Sequence, residues 1–178
     1  ILAAALTVSC IGGIVPANSV QAASLKIRYS GKTRYYKGKQ LHVSYANKNL
    51  SSKYVGIQIN KVNMIPYYDY LVKQGPKVKR TYSKSSGKLI LKNGDDTLTA
   101  YVGKRTYYLN GVKKTFSVAP TKVKYYKTKK TIILIPANAI VKGLGLNYKY
   151  SSSSKRIYIT QPVIPSDSTT QVQTQPSG

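Results

Sequence analysis

Glutamate and tryptophan are missing from all 178 residues, and cysteine, histidine, methionine and phenylalanine occur once each. The only acids are four aspartates, Asp69, Asp95, Asp96 and Asp167. These scarcities exclude whole classes of chemistry. Transition-metal centres draw on clusters of Cys and His, which His42 alone does not supply, so no metal or other cofactor is expected. General acid–base catalysis calls on His or paired carboxylates. Asp95 and Asp96 are adjacent within Asn93-Gly94-Asp95-Asp96, the composition of a turn. Glycoside hydrolysis needs two carboxyls converging from separate elements, which would require Asp69 to meet that turn. The expectation is a non-enzyme with no small-molecule substrate. His42 itself lies in Gln40-Leu41-His42-Val43-Ser44-Tyr45. Leu41, Val43 and Tyr45 share one face of such an alternating strand, which puts His42, Gln40 and Ser44 on the other, expected to be wet.

What the chain has instead is positive charge. Lys and Arg total 29, for a net charge of +25. A field of that size steers polyanions from a distance. The plainer alternative is a solvated surface that keeps the protein soluble. Lys122, Lys124, Lys127, Lys129 and Lys130 crowd one short stretch, with Lys113 and Lys114 upstream. These seven are the candidate anion-binding residues. In an alternating strand Lys122 and Lys124 share a face, and Val123 and Tyr125 take the opposite one. So few aspartates cannot neutralise such a row, which must meet water, counterions or an external anion.

The two ends differ from the middle. Ile1 to Val15 is an apolar run, shorter than the roughly 20 residues a membrane span needs. It leads into Pro16-Ala17-Asn18-Ser19-Val20-Gln21-Ala22-Ala23. Val20 and Ala22 fit the small residues of a signal-peptidase site, with the cut before Ala23. Residues 1–22 therefore read as a signal peptide whose charged start is clipped. Leu6 stands one position too far upstream of Cys10 for a lipidation motif. Once the signal is removed, no cysteine remains for a disulfide. Residues 162–178 are rich in Pro, Ser, Thr and Gln and poor in core-forming residues. They read as a linker or tail. Between these ends, residues 23–161 are about one domain's worth of chain.

Strand signals dominate that domain. Leu25–Tyr29, Tyr54–Ile59, Lys88–Leu91, Thr97–Val102 and Lys155–Ile159 alternate or run apolar. Asn110-Gly111 between Arg105–Leu109 and Val112–Val118 is a strong short hairpin signal. Seventeen Tyr against one Phe suit half-buried strands, where a ring covers apolar surface and its hydroxyl stays wet. The doublets Tyr35-Tyr36 and Tyr125-Tyr126 place one ring on each strand face, so at most one of each pair is free to stack on a base. Nucleic acid is therefore the less favoured partner. Two short helices interrupt the strands. Pro66 to Gly75 carries Tyr67, Tyr68, Leu71 and Val72 on one face, and Pro136 to Gly145 carries Ala137, Ile140, Val141 and Leu144. Leu71, Val72, Ile140 and Leu144 are expected to be buried. Ile65-Pro66 recurs as Ile135-Pro136, and Gly75 recurs as Gly145 at the same offset. Each helix is followed by a Tyr-bearing strand, a Ser-rich turn and a second strand. The predicted fold class is α+β, mostly β. Antiparallel sheets carry two short helices in pseudo-duplicated helix–hairpin units that share one core.

These units resemble the copper amine oxidase N-terminal-like domain, also called the stalk domain. The likeness is clearest over Thr131 to Ile159, with Leu134-Ile135-Pro136, Leu144-Gly145, Tyr148, Tyr150 and Ile157-Tyr158-Ile159. The Asn110-Gly111 hairpin fits the segment preceding that unit. Gln74-Gly75 replaces Leu-Gly in the first copy, and Tyr150-Ser151 stands where the family carries Trp-Asp. The resemblance implies a helix-backed antiparallel sheet in exported multidomain proteins, without copper ligands or quinone. It implies a stalk or spacer, and with the signal segment an extracellular, secreted or wall-associated one. For such an exported protein the positive charge makes anionic wall polymers or a membrane surface the expected partners. An alternative is the accessory front of a wall-acting hydrolase whose catalytic domain lies beyond Gly178. Extracellular nucleic-acid binding is a third.

Overall fold

The computed structural model describes residues 24–165. The signal segment expected at 1–22, Cys10, and residues 166–178 of the expected linker lie outside them. Pro162–Pro165 are exposed and without regular structure.

Fifteen strands and two short helices make up the described residues. The strands form three sheets, numbered here in chain order. The first has six strands in the order β2 (Lys32–Tyr36), β1 (Leu25–Tyr29), β12 (Thr121–Tyr125), β13 (Lys130–Pro136), β6 (Val62–Pro66) and β5 (Ile57–Ile59). Its two edges meet. The Tyr36 hydroxyl on β2 accepts the Gln58 amide of β5 at 2.8 Å and donates to the Lys39 carbonyl at 2.9 Å. The sheet is thus curled, and the curl engages edge groups that an open sheet would leave bare. Inside it Ile27, Ile57, Met64, Val123, Tyr125 and Leu134 are buried. Side chains of this size contribute about 1.5–3 kcal/mol each when fully buried.

The second sheet is a meander in the order β11 (Val112–Thr115), β10 (Thr106–Leu109), β9 (Asp96–Tyr101), β8 (Lys88–Asn93) and β7 (Lys79–Ser83). Asn110 and Gly111 join β10 to β11 with φ of 49° and 81°. Two positive φ values in a two-residue loop define the turn that matches strand twist, which explains the Asn-Gly pair. Asp95 sits in the β8–β9 turn, and Asn93 pairs with Asp96 across it, the turn role read from the sequence.

The third sheet runs β14 (Asn147–Ser151), β15 (Arg156–Thr160), β3 (His42–Tyr45) and β4 (Lys48–Asn49). All strand pairs in the three sheets are antiparallel except β15 with β3, where Ile157 faces Val43 in parallel register. The sheets are antiparallel as expected, with this one pair as the exception. These two strands come from opposite ends of the domain, so no hairpin dictates their direction. Ser44 corrects an expectation. It is only 2% exposed, whereas His42 is exposed as predicted. β3 lies between two neighbours, and Arg156 crosses it to donate to the Ser44 hydroxyl at 3.1 Å, which in turn donates to Asn49 at 2.7 Å.

A larger core unites the elements. Leu41, Val43, Leu71, Leu89, Leu98, Ile135, Ile140 and Ile157 belong to one cluster drawn from all three sheets and both helices. Helix α1 (Ala137–Gly143) buries Ala137, Ile140 and Val141, and Leu144 follows them into the core, the stripe read from the sequence. The helix at Tyr68–Lys73 is a π-helix, and here the expected face is only partly right. Tyr67, Tyr70 and Leu71 are buried, but Tyr68 is 46% exposed and Val72 only half-buried. The wider π turn presents different positions to the core than 3.6-residue spacing does. Burial pushes the Tyr70 phenol up to about 12. Gly75 has φ of 58°, and a Cβ there would collide with the Tyr70 carbonyl, so this helix end needs glycine.

The helix-bearing segments share more than their order. β6 and β13 pair antiparallel, with Ile65 directly opposite Ile135. From 61 to 70 and from 131 to 140 the succession of exposed, half-buried and buried residues is the same. Each segment continues through a glycine of positive φ into a hairpin, β7–β8 after the first and β14–β15 after the second.

Candidate anionic-polymer interface

β12 reads Thr-Lys-Val-Lys-Tyr, and the curl of its sheet fixes which side each residue takes. Val123 and Tyr125 are buried inside, where the Tyr125 hydroxyl donates to the Val55 carbonyl at 2.6 Å. Lys122 and Lys124 are exposed outside. The neighbours extend that outer face by register. Lys124 lies opposite Arg28 on β1 and Thr131 on β13, and on β2 Thr33 faces Arg28 while Tyr35 faces Lys26. Directly opposed residues share a face. Lys26, Arg28, Lys122 and Lys124 therefore stand on one surface with Thr33, Tyr35 and Thr131. None of β1, β2, β12 or β13 contains an acid.

Two rings complete the face. Tyr35 is 60% exposed. Tyr126 follows β12, and its hydroxyl lies 3.0 Å from the Thr33 hydroxyl. The Lys26 ammonium sits 4.8 Å from the Tyr126 ring centre and 5.5 Å from that of Tyr35, and Lys124 sits 5.3 Å from Tyr126. Ammonium groups at such distances are attracted by the ring faces. The Tyr126 phenol is held below its usual value by its hydrogen bond with Thr33 and by the positive charge of Lys124, Arg28 and Lys26. Each tyrosine doublet divides as expected, Tyr35 and Tyr126 outside, Tyr36 and Tyr125 within. Arg28 directly opposite Lys124 is a like-charge pair, an arrangement that costs stability in an antiparallel sheet.

The seven candidate lysines do not form one patch. Lys122 and Lys124 belong to the face just described. Lys127 and Lys129 lie in the turn that follows β12, closed by the Lys129 amide to the Tyr126 carbonyl at 3.2 Å. Lys130 faces Tyr125 in register and so shares the inner side of the sheet, although its own side chain is exposed. Lys113 and Lys114 lie in another sheet, on the exposed edge strand β11. Lysines on an edge discourage strand-to-strand aggregation, which accounts for them locally. Lys26, Arg28 and Tyr35, which the sequence reading did not select, take their place. Alternation in Leu25–Tyr29 already put Lys26 and Arg28 together; nothing local indicates that β1 pairs with β12.

Two of the aspartates are engaged in the fold. Asp69 accepts a hydrogen bond from Ser52, and Asp96 accepts one from Asn110 at 2.9 Å. Among the described residues, no three His, Cys, Asp or Glu gather where they could hold a metal ion. No helix there is long and apolar enough to cross a membrane.

The profile of the copper amine oxidase N-terminal domain family matches residues 45–159. β1 and β2, which supply half of the basic face, precede the matched stretch. No curated protein and no solved structure matches the chain.

Proposed function

Because the chain belongs to the copper amine oxidase N-terminal domain family, whose N-terminal domain is a non-catalytic module, we propose that it is a surface stalk that adheres to anionic polymers. The observation that carries this is the like-charge face: Arg28 opposes Lys124 between Lys26 and Lys122, with no acid on any of the four strands. A fold that tolerates this repulsion is relieved of it when an external polyanion supplies the missing charge. The spacer role rests on the helix–hairpin units, which we infer to be duplicated copies. Their shared burial pattern and the pairing of Ile65 with Ile135 support that reading. Export and a wall location rest on the signal-like segment and the family's usual company.

Adhesion of this kind is sequence-blind and salt-sensitive, because neutralising polymer charge releases counterions. The test is retention of residues 23–161 on lipoteichoic acid, phosphatidylglycerol vesicles and DNA over a salt series. Retention on the first or second at low salt, lost steeply as salt rises, is expected. Indifference to all three would reduce the face to a solvated surface. Binding to DNA alone would transfer the function to nucleic acid, with Tyr35 and Tyr126 as stacking rings.

A further inference from the structure

The basic face does not end at β12. Lys122 also lines a cleft of about 820 Å³ formed by residues of the six- and five-stranded sheets and their connections. Lys84, Ser85 and Ser86 enter it from the β7–β8 turn, Arg105 from the β9–β10 connection and Ser117 from the β11–β12 connection. No carboxylate is among the lining residues. Arg105 is anchored there. Its Nε donates to the Phe116 carbonyl at 2.7 Å, and the Phe116 amide donates back to the Arg105 carbonyl at 2.8 Å. That bond orients the guanidinium plane and leaves its terminal nitrogens free of it, a fork suited to bidentate contact with a phosphate. Serine hydroxyls add neutral donors for the remaining oxygens.

We propose that this cleft binds a phosphodiester group of a flexible, unbranched polyanion whose neighbouring units lie along the basic face, with Lys122 shared by both. The inference rests on the adhesive reading above and narrows its ligand. A lipid bilayer presents a broad surface, which can meet the outer face of β1 and β12 but does not enter a cleft. A single polyol-phosphate strand enters it. Lys84, Arg105 and Lys122 then neutralise charge that the face alone does not reach.

The test uses two probes, a short synthetic poly(glycerol phosphate) and phosphatidylglycerol vesicles, and two double variants of residues 23–161. Lys84→Gln with Arg105→Gln leaves Lys122 as the one charged side chain lining the cleft; Lys26→Gln with Lys124→Gln weakens the face. The cleft variant should bind poly(glycerol phosphate) about tenfold more weakly. Its slope of log affinity against log salt should fall by about 0.7 for each phosphate it no longer neutralises. Its vesicle retention should be unchanged. The face variant should lose affinity for both probes. Equal loss on both probes by the cleft variant, or loss on neither, overturns the cleft assignment and leaves the face standing. A face variant that loses nothing overturns the adhesive face, while the cleft is still judged by its own arm. Because Arg105→Gln also removes the bond to Phe116, Lys84→Gln alone serves as the second variant. It alters an exposed turn residue and should weaken poly(glycerol phosphate) about threefold; no change in it, with the double variant misfolded, also counts against the cleft.

Discussion

Tyr125 and Tyr126 are neighbours in the chain and opposites in every physical respect. Tyr125 points into the curl, only 2% exposed, and burial pushes its phenol far up. Tyr126 lies outside, where a Thr33 hydrogen bond and three cations hold its phenol down. The pair summarises the sheet that carries them. The inner side of β1 and β12 excludes charge and supplies stability; the outer side gathers charge and gives up some stability to do so. The lesson is that a strand with period-two alternation can divide two tasks between its faces without either constraining the residues of the other.

The largest expected effect is on the inner side. Ile27→Ala should destabilise the domain by about 2–5 kcal/mol, the usual cost of truncating a fully buried side chain, read from denaturant unfolding. Its neighbour Arg28→Gln, on the outer side, should change stability by no more than about 0.5 kcal/mol in either direction, as surface substitutions do. Comparable losses from both would erase the division between the faces.

That division was partly legible in the sequence. Lys122 and Lys124 alternate with Val123 and Tyr125, and the structure separates them as period two requires. The Asn110-Gly111 hairpin, the α1 stripe and the exposed His42 were legible for the same reason, since each is a local signal. What local patterns do not carry is which strand lies beside which. The assembly of Lys26, Arg28, Tyr35, Lys124 and Tyr126 depends on β1 pairing with β12, far away in the chain. The parallel pairing of β15 with β3, and with it the burial of Ser44 under Arg156, depends on the same kind of distant choice. The π-helix is another matter. Its Pro and Gly boundaries were plain, but a change of helical pitch moves Tyr70 inward and Tyr68 outward without altering composition.

Closure of the curl is the next effect in size. Tyr36→Phe removes the hydroxyl that accepts from Gln58 and donates to Lys39. Leaving that amide and carbonyl without their partner should cost about 1–3 kcal/mol. Hydrogen exchange should show the loss first at β5. An unchanged rate there would mean that the two edges hold together without the hydroxyl.

Alkaline pH sharpens the contrast between buried and exposed tyrosines. The folded-state pKa of Tyr70 is raised to about 12, above the ordinary value near 10. The unfolded chain therefore releases this proton first. Stability from this group is complete below about pH 10 and is lost as pH rises toward 12. Tyr126 runs the other way and should be among the first phenols to ionise. Its phenolate cancels one positive charge of the outer face, so retention on an anionic polymer should begin to fall as Tyr126 titrates. Tyr126→Phe should remove that early fall, as followed by phenolate absorbance alongside retention.

The central claim is that binding belongs to one face and not to net charge alone. Its most direct measurement compares two variants of equal charge on lipoteichoic acid at one fixed salt concentration. One carries Gln at Lys26, Arg28, Lys122 and Lys124; the other carries Gln at Lys48, Lys79, Lys142 and Lys149, which are exposed elsewhere. The first should lose affinity by about a hundredfold, because several phosphates go unneutralised together, while the second should stay within a few-fold of the parent. Equal losses in the two variants would contradict the claim.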